Sequence, residues 1–162
     1  MKFLITVMLC ISTLLPFVPM QKEYVKQVDN NGNLVSEGWM LNGAKNGYWK
    51  FYDKQQHLSF SGHYINNQKT GYWHEYKSGL ISSEGHYTND LKTDWWTCHN
   101  KKGYRTIKKQ FKKGLQHGYA LYYKKSSLSM VEEYESSKKI GAWTSYFKFK
   151  RDHPGFSMSD LR

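Results

Sequence analysis

Residues 62–76 read GHYINNQKTGYWHEY, and this pattern recurs along the chain in five copies. Each copy has a first anchor residue and, nine residues later, a second anchor residue. The first anchors are Gly38, Gly62, Gly85, Lys109 and Glu132. The second anchors are Gly47, Gly71, Asp94, Gly118 and Gly141. Successive first anchors lie 24, 23, 24 and 23 residues apart, which is typical of a repeat array.

A short aromatic segment follows each second anchor. These segments are GYWKFY (47–52), GYWHEY (71–76), DWWTCH (94–99), GYALYY (118–123) and GAWTSY (141–146). Their side chains alternate between two faces, as in a β-strand. One face is expected to carry Trp49, Trp73, Trp96, Ala120 and Trp143. The other face is expected to carry a column of Tyr52, Tyr76, His99, Tyr123 and Tyr146.

The segment around each first anchor predicts a second strand. Between the two strands of a copy lies a turn-forming stretch such as NNQKTG (66–71), rich in residues that tolerate positive φ or bond to their own backbone. Each copy is therefore predicted to be a β-hairpin.

The predicted fold class is all-β, with five tandem hairpins stacked into a twisted antiparallel sheet or rod. A single hairpin is marginal in water, so the copies must pack together to bury their aromatic side chains. Ten strands at a spacing of ~4.8 Å would extend roughly 45 to 50 Å. Residues 21–37 and 147–162 are expected to shield the two open ends, and a short terminal helical turn is compatible with the sequence.

A hydrophobic leader precedes the repeats. Residues 3–20 contain no charged side chain, which predicts an export signal or a membrane anchor. Pro16 and Pro19 favour the cleaved signal, because they interrupt a helix at its distal end. Lipid attachment at Cys10 is a third alternative. Each alternative places the protein outside the cytoplasm, as a periplasmic, secreted or envelope-associated chain.

The chain divides into four predicted segments. These are a signal peptide or anchor (1–20), an N-terminal lead-in (21–31), the repeat domain (32–147) and a basic tail (148–162).

The formal net charge of +11 favours acidic partners. An acidic protein, an anionic lipid surface and an acidic glycan all fit, whereas export disfavours nucleic acid. The alternative is that the basic surface only keeps an aromatic-rich protein soluble. The sequence does not indicate an oligomeric state.

No catalytic or metal-binding motif is evident. Cys98 is the one cysteine outside the leader, so an internal disulfide is not expected. The seven histidines follow the repeat and not a metal-ligand spacing, and no catalytic triad, phosphate loop or dinucleotide fingerprint is present. We therefore predict a protein without catalytic residues, metal or cofactor.

Two sets of residues are candidates for binding. The first is a row of predicted turn residues seven positions past each first anchor: Lys45, Lys69, Lys92, Gln116 and Lys139. Its lysines could attract an anionic surface, or could simply discourage edge-to-edge aggregation. The second is the tyrosine column, with Tyr52, Tyr76, Tyr123 and Tyr146. These rings could stack on sugars, or pack against one another between repeats.

The repeats resemble the variant class of MORN repeats (membrane occupation and recognition nexus). The resemblance rests on segments such as Gly62–Asn66 with Gly71–Tyr76, and Gly85–Asn89 with Trp96, and it covers about residues 32–147. The last two copies depart from the pattern. The resemblance implies a scaffold that binds protein or lipid. Some bacterial members are labelled antitoxins, a role that fits poorly with an exported chain.

Overall fold

The computed structural model describes residues 20–100 and 105–157, and these residues form one open antiparallel sheet. Every strand pairs with its neighbours in sequence. The strands are β1 (Lys22–Val28), β2 (Leu34–Leu41), β3 (Ala44–Tyr52), β4 (Leu58–Ile65), β5 (Gln68–Lys77), β6 (Leu80–Thr88), β7 (Leu91–His99), β8 (Arg105–Lys112), β9 (Leu115–Lys124), β10 (Ser127–Glu135) and β11 (Lys138–Trp143). A short helix follows, α1 (Tyr146–Asp152). The predicted class of tandem β-hairpins is confirmed.

The sheet has one strand more than the ten that the five copies predict. Strand β1 lies in the segment that we took for a lead-in, and its sequence matches β3 at a distance of 24 residues: Tyr24, Val25 and Lys26 correspond to Tyr48, Trp49 and Lys50. Val25 also pairs with Gly38. Strand β1 therefore occupies the position of the second strand of a repeat. The predicted leader, up to residue 19, lies outside the described residues.

The turns inside the hairpins are shorter than predicted. Only Asn66 and Asn67 of the stretch NNQKTG form the turn, with φ values of 48° and 65°, and β5 already begins at Gln68. Asn89 and Asp90 form an equivalent turn. Such two-residue turns with positive φ at both positions match the twist of the flanking strands, so the chain after them continues directly as strand.

Four of the five second anchors lie in bulges of the strands and not in turns: Gly47, Gly71, Asp94 and Gly118. Residues 46–48 of β3 oppose the single residue Trp39 of β2, and Gly47 adopts a φ of 111°. Gly71 and Gly118 also have positive φ in their strands, as does Asp94. A bulge of this kind bends the strand and redirects the side chains that follow it.

The last hairpin has a smaller bulge, and this reverses the face of Trp143. In β11 only Ile140 is extra, so Glu132 pairs with Ala142 and Val131 pairs with Trp143. The expectation that Trp143 shares a face with the other tryptophans is wrong, because a shift of one residue turns every later side chain to the opposite face.

A core of aromatic side chains lies on the face that carries Trp49, Trp73 and Trp96, called here the Trp49 face. These three side chains are only 0%, 1% and 1% exposed. Tyr64 is buried with them, and Phe51 packs against the cluster. Each tryptophan ring lies over a first-anchor glycine of the preceding strand.

A second core lies on the opposite face, called here the Tyr48 face. Phe149 of α1 is fully buried against Leu121 and Val131. Helix α1 begins after Ser145, whose Oγ accepts a hydrogen bond from the Lys148 backbone N–H at 3.3 Å. The expectation that the C-terminal segment shields the open edge is corrected here: α1 covers a face of β10 and β11. No helix among the described residues is long and apolar enough to cross a membrane.

Candidate binding surfaces

The lysines predicted in turns lie within strands on the Trp49 face, so their expected position was wrong. Lys45, Lys69 and Lys92 belong to β3, β5 and β7. Their Nζ atoms lie 4.7, 4.7 and 3.6 Å from the ring centroids of the tryptophans four residues later. Residues four apart in a strand share a face, and the two extra residues of the bulge keep that face while they bring each lysine and its tryptophan closer in register. Each amine therefore makes a cation–π contact with a ring of its own strand.

These contacts remove the lysines partly from water. Burial lowers the pKa of Lys45, and the neighbouring charge of Lys69 adds to that shift. Burial also lowers the pKa of Lys69. Lys92 forms a 3.1 Å ion pair with Glu75. These three lysines are thus half-buried and belong to the packing on the Trp49 face. Their attraction for an anionic ligand stays a prediction.

The other two members of the row differ from these three. Lys139 lies at the start of β11 and forms an ion pair of 3.2 Å with Glu132. Burial opposes ionisation of Glu132, but hydrogen bonds from Tyr122, Tyr134 and Lys139 lower its pKa overall. Gln116 carries no charge and its backbone N–H donates to Ser137 Oγ.

The first three members of the tyrosine column lie on the Tyr48 face, and each hydrogen-bonds to the residue before the first anchor of its own hairpin. Tyr52 OH donates to Glu37 Oε1 at 2.7 Å, and Tyr76 OH lies 3.3 Å from Ser61 Oγ. His99 Nε2 lies 3.1 Å from Glu84 Oε1 in the third copy. The column therefore links the two strands of each of these hairpins.

The Tyr52 contact alters the acidity of both partners. The hydrogen bond from Tyr52 lowers the pKa of Glu37, which is nearly buried, and Lys50 and Lys26 lower it further. Burial, together with the Glu37 carboxylate, raises the pKa of Tyr52 to about 12. Glu37 is therefore held ionised beneath a neutral tyrosine.

Of the remaining column members, Tyr123 packs against the core under α1. Tyr146 is the first residue of α1, so its expected place in a strand was wrong, because β11 already ends at Trp143. All four tyrosines of the column are half-buried. Their proposed stacking on sugars stays a prediction, since the structure shows them in contacts within the sheet.

The part of the chain that the structure describes contains no group of three or more His, Cys, Asp or Glu side chains that could hold a metal ion. Glu84 lies between two histidines, with His74 Nε2 at 3.6 Å and His99 Nε2 at 3.1 Å. Cys98 is half-buried on the Trp49 face, and burial raises the pKa of its thiol.

A row of exposed aromatic side chains, which was not among the predicted binding residues, runs across the Tyr48 face. Tyr24, Trp39, Tyr48 and Tyr72 are 47%, 39%, 39% and 41% exposed. Three ring pairs form between neighbouring strands: Tyr24 with Trp39 at 5.2 Å, Tyr48 with His63 at 5.0 Å, and Tyr72 with His86 at 4.9 Å. We call these six residues the open aromatic row.

The row has a sequence signal of its own. Tyr48 and Tyr72 each follow a second anchor, Trp39 and His63 each follow a first anchor, and the period of the repeat relates them. Alternation along each strand places Tyr48 and Tyr72 on the face opposite Trp49 and Trp73, as the structure has them. Which face stays open depends on where α1 packs, and the alternation does not contain this.

The C-terminal end of the same row is covered. Tyr119, which corresponds to Tyr72 two copies later, packs edge-on against Phe149 at 5.4 Å and Phe156 at 5.3 Å. Trp95, in the copy between, packs against the edge of this core. The uncovered part of the row therefore extends from β1 to β6.

The open end of the row is basic. Lys22 Nζ lies 4.7 Å from the centroid of Trp39. Lys26 Nζ and Lys50 Nζ lie 3.9 and 3.8 Å from the carboxylate of Glu37. The Lys26 side chain is 64% exposed and the Lys50 side chain is 45% exposed. Glu37 is the acidic group among them, and it is nearly buried.

The fold defines the class of protein: it is a β-hairpin repeat protein. The C-terminal half of its Tyr48 face is covered by α1, and the N-terminal half is open. No known protein family matches the chain. No curated protein matches it either. The MORN resemblance thus remains a prediction.

Proposed function

We propose that this chain is a non-catalytic scaffold of the cell envelope or exterior that binds a partner protein through the Tyr48 face. The observation that supports the proposal is the open aromatic row. The expectation of export supports the location.

Exposed aromatic side chains in one patch are typical of interaction surfaces. Tyrosine and tryptophan are enriched where proteins meet, because they bury a large area and keep a polar group for hydrogen bonding. Soluble proteins rarely leave such residues side by side in water without a use. On the Trp49 face, in contrast, each of the three tryptophan rings is already covered within the sheet, by a glycine on one side and a lysine amine on the other.

Contact with an anionic surface is the second candidate, supported by the net charge of +11 and by exposed lysines such as Lys26. Its binding would fall steeply with added salt. A glycan that stacks on exposed tyrosines is the third candidate, and its binding would depend little on salt.

A pull-down with the full-length chain separates these candidates. The immobilised chain is offered solubilised envelope proteins, anionic lipid vesicles and cell-wall polymer, each at low and high salt. The test variant is Tyr48→Ser/Tyr72→Ser, and the matched control is Phe60→Ser, an aromatic residue 43% exposed on the Trp49 face. The melting temperature of each variant shows that it is folded.

We expect capture of a protein that is lost in the double variant and kept in the Phe60 variant. Capture by vesicles alone, abolished by salt, would replace this proposal with the anionic surface. Salt-independent capture by cell-wall polymer would replace it with the glycan.

A further inference from the structure

The C-terminal segment shows what kind of element covers the aromatic row in this molecule. Tyr119 occupies the same repeat position as Tyr48 and Tyr72, and it lies under α1 and the residues after it. Phe149 of α1 is fully buried there. A helix that presents phenylalanine to the sheet is therefore one way to cover this row, and the open half continues directly from it.

The spacing of the row suits a helix that crosses the strands. Tyr24, Tyr48 and Tyr72 lie on β1, β3 and β5, which are two strands apart, or ~9.6 Å at the usual strand spacing. Seven residues of an α-helix advance ~10.5 Å and return to nearly the same side of the helix. A helix of about 15 residues with a large apolar side chain at every seventh position would place one on each tyrosine in turn.

The charges at the β1–β3 end of the row favour an acidic helix, whereas Glu84 beside Tyr72 leaves the β5–β6 end without this preference. Lys22, Lys26 and Lys50 lie beside it, and the nearby carboxylate of Glu37 is engaged by the two latter lysines and by Tyr52. Glutamate or aspartate on the flanks of the helix would face these lysines.

Helix α1 of a second copy fits this surface poorly. Its exposed side carries Lys148 and Arg151, with Lys150 in the last turn, and its first turn has no acidic residue. Like charges opposed across an interface cost affinity. The occupant is therefore expected from a different protein.

From these observations we infer that the open aromatic row is a docking site for an acidic amphipathic helix of a partner protein, bound across β1 to β6 with a large apolar side chain at every seventh position. The inference rests on the proposed function and specifies the chemistry of the partner.

The test uses the full-length chain and a capped helical peptide of about 15 residues, with phenylalanine at every seventh position and glutamate on the flanks. One control peptide has the same composition, with the central phenylalanine moved by two residues, which turns it to the opposite side of the helix. A second control peptide has lysine in place of glutamate. Dissociation constants are measured by calorimetry.

We expect the first peptide to bind at least about tenfold more tightly than either control, and to lose about tenfold in affinity with Tyr48→Ser/Tyr72→Ser. The Phe60→Ser control should bind it as the unchanged chain does. Equal binding of the first two peptides, or equal binding by the double variant, would overturn the inference, as would no binding at all.

The outcome is distinguishable from failure of the proposed function. A partner captured through the Tyr48 face in the pull-down, combined with no preference among the peptides, would reject the helix and keep the scaffold. Peptide and pull-down results that are both independent of Tyr48 and Tyr72 would reject both.

Discussion

At the scale of the residue, a glycine at the first anchor and a tryptophan eleven residues later form a matched pair. A Cβ atom on Gly38 would lie 2.4 Å from the ring of Trp49, and one on Gly62 would lie 2.3 Å from the ring of Trp73. The fourth copy changes both partners, since Lys109 pairs with the fully buried Ala120. A glycine therefore stands at the first anchor wherever a tryptophan ring lies directly against the backbone.

The first prediction concerns this close approach. Gly62→Ala should destabilise the protein by about 1 to 3 kcal/mol, because the added methyl group must displace the buried ring of Trp73. Urea unfolding measures the loss. The matched control is Gly155→Ala, where no atom lies within 4 Å of the added Cβ, and its stability should not change. Equal stability of both variants would contradict the pairing.

The second prediction concerns the nearly buried carboxylate of Glu37. Its pKa is lowered in the folded protein, mainly by the hydrogen bond from Tyr52, so the carboxylate contributes stability that is present above the ordinary glutamate pKa. That contribution is lost as the pH falls through the lowered folded-state pKa. Glu37→Gln should therefore destabilise the protein at neutral pH and should lose less stability than the unchanged chain on acidification.

Unfolding in urea between neutral pH and pH ~3 tests this sign. Glu135→Gln removes an exposed carboxylate at the end of β10 and serves as the control. If Glu37→Gln and the unchanged chain lost stability in parallel on acidification, the role assigned to the Tyr52 hydrogen bond would be wrong.

At the scale of the element, the type of strand and turn followed from the sequence, whereas the residues at their boundaries did not. Alternation in GYWKFY (47–52) predicts a strand, but the same rule does not show that β3 starts at Ala44. The reason is that Gly47 lies in a bulge, and a glycine in a bulge and a glycine in a turn look alike in a sequence. The lysines were placed in turns for the same reason.

The face of Trp143 was missed because it depends on the size of one bulge. Gly141 matches the other second anchors in sequence, yet β11 accommodates one extra residue where β3 accommodates two. Burial of Trp143 against Phe149, at a ring distance of 5.2 Å, accompanies this difference. Packing with α1 is a tertiary effect that the repeat pattern does not contain.

The third prediction concerns the helix as an element. Phe149→Ala should destabilise the protein by about 3 to 5 kcal/mol, since it removes a fully buried ring from the core with Leu121 and Val131. Phe147→Ala in the same helix is the control, because Phe147 is 79% exposed and should matter little. Thermal unfolding compares them. A similar loss in both variants would mean that α1 does not cover the Tyr48 face as described.

At the scale of the whole molecule, the protein is a linear array in which each strand is supported by its neighbours in sequence. Stability in such an array is local, and its ends open more readily than its middle. Tandem repetition made this architecture predictable from the anchors alone. The repeat position of β1 was missed because Val25 stands where four of the five copies have tryptophan.

The fourth prediction follows from this arrangement. Backbone amides of β1 should exchange with solvent faster than those of β5, because within residues 20–100 and 105–157 β1 is paired along one side only, whereas β5 is paired along both. Hydrogen exchange of the full-length chain, resolved by peptide, measures the difference. Equal protection of β1 and β5 would indicate that the outer edge of β1 is also paired, for example with a second copy.

The open aromatic row could be anticipated only in part. The period of the repeat places Tyr24, Tyr48 and Tyr72 at equivalent positions on one face. Whether they are exposed depends on how far α1 extends over that face, and the covered region ends near Trp95. Which face remains available to a partner is therefore a property of the assembled molecule.

A partner protein bound at the Tyr48 face would lie within reach of a side chain at position 48. Photocrosslinking in the native cell measures this, with a photoreactive phenylalanine analogue in place of Tyr48 or, as the control on the other face, in place of Phe60. We expect a discrete crosslinked protein from position 48 and none from position 60. The same crosslinked species from both positions, or a species from position 60 alone, would contradict it.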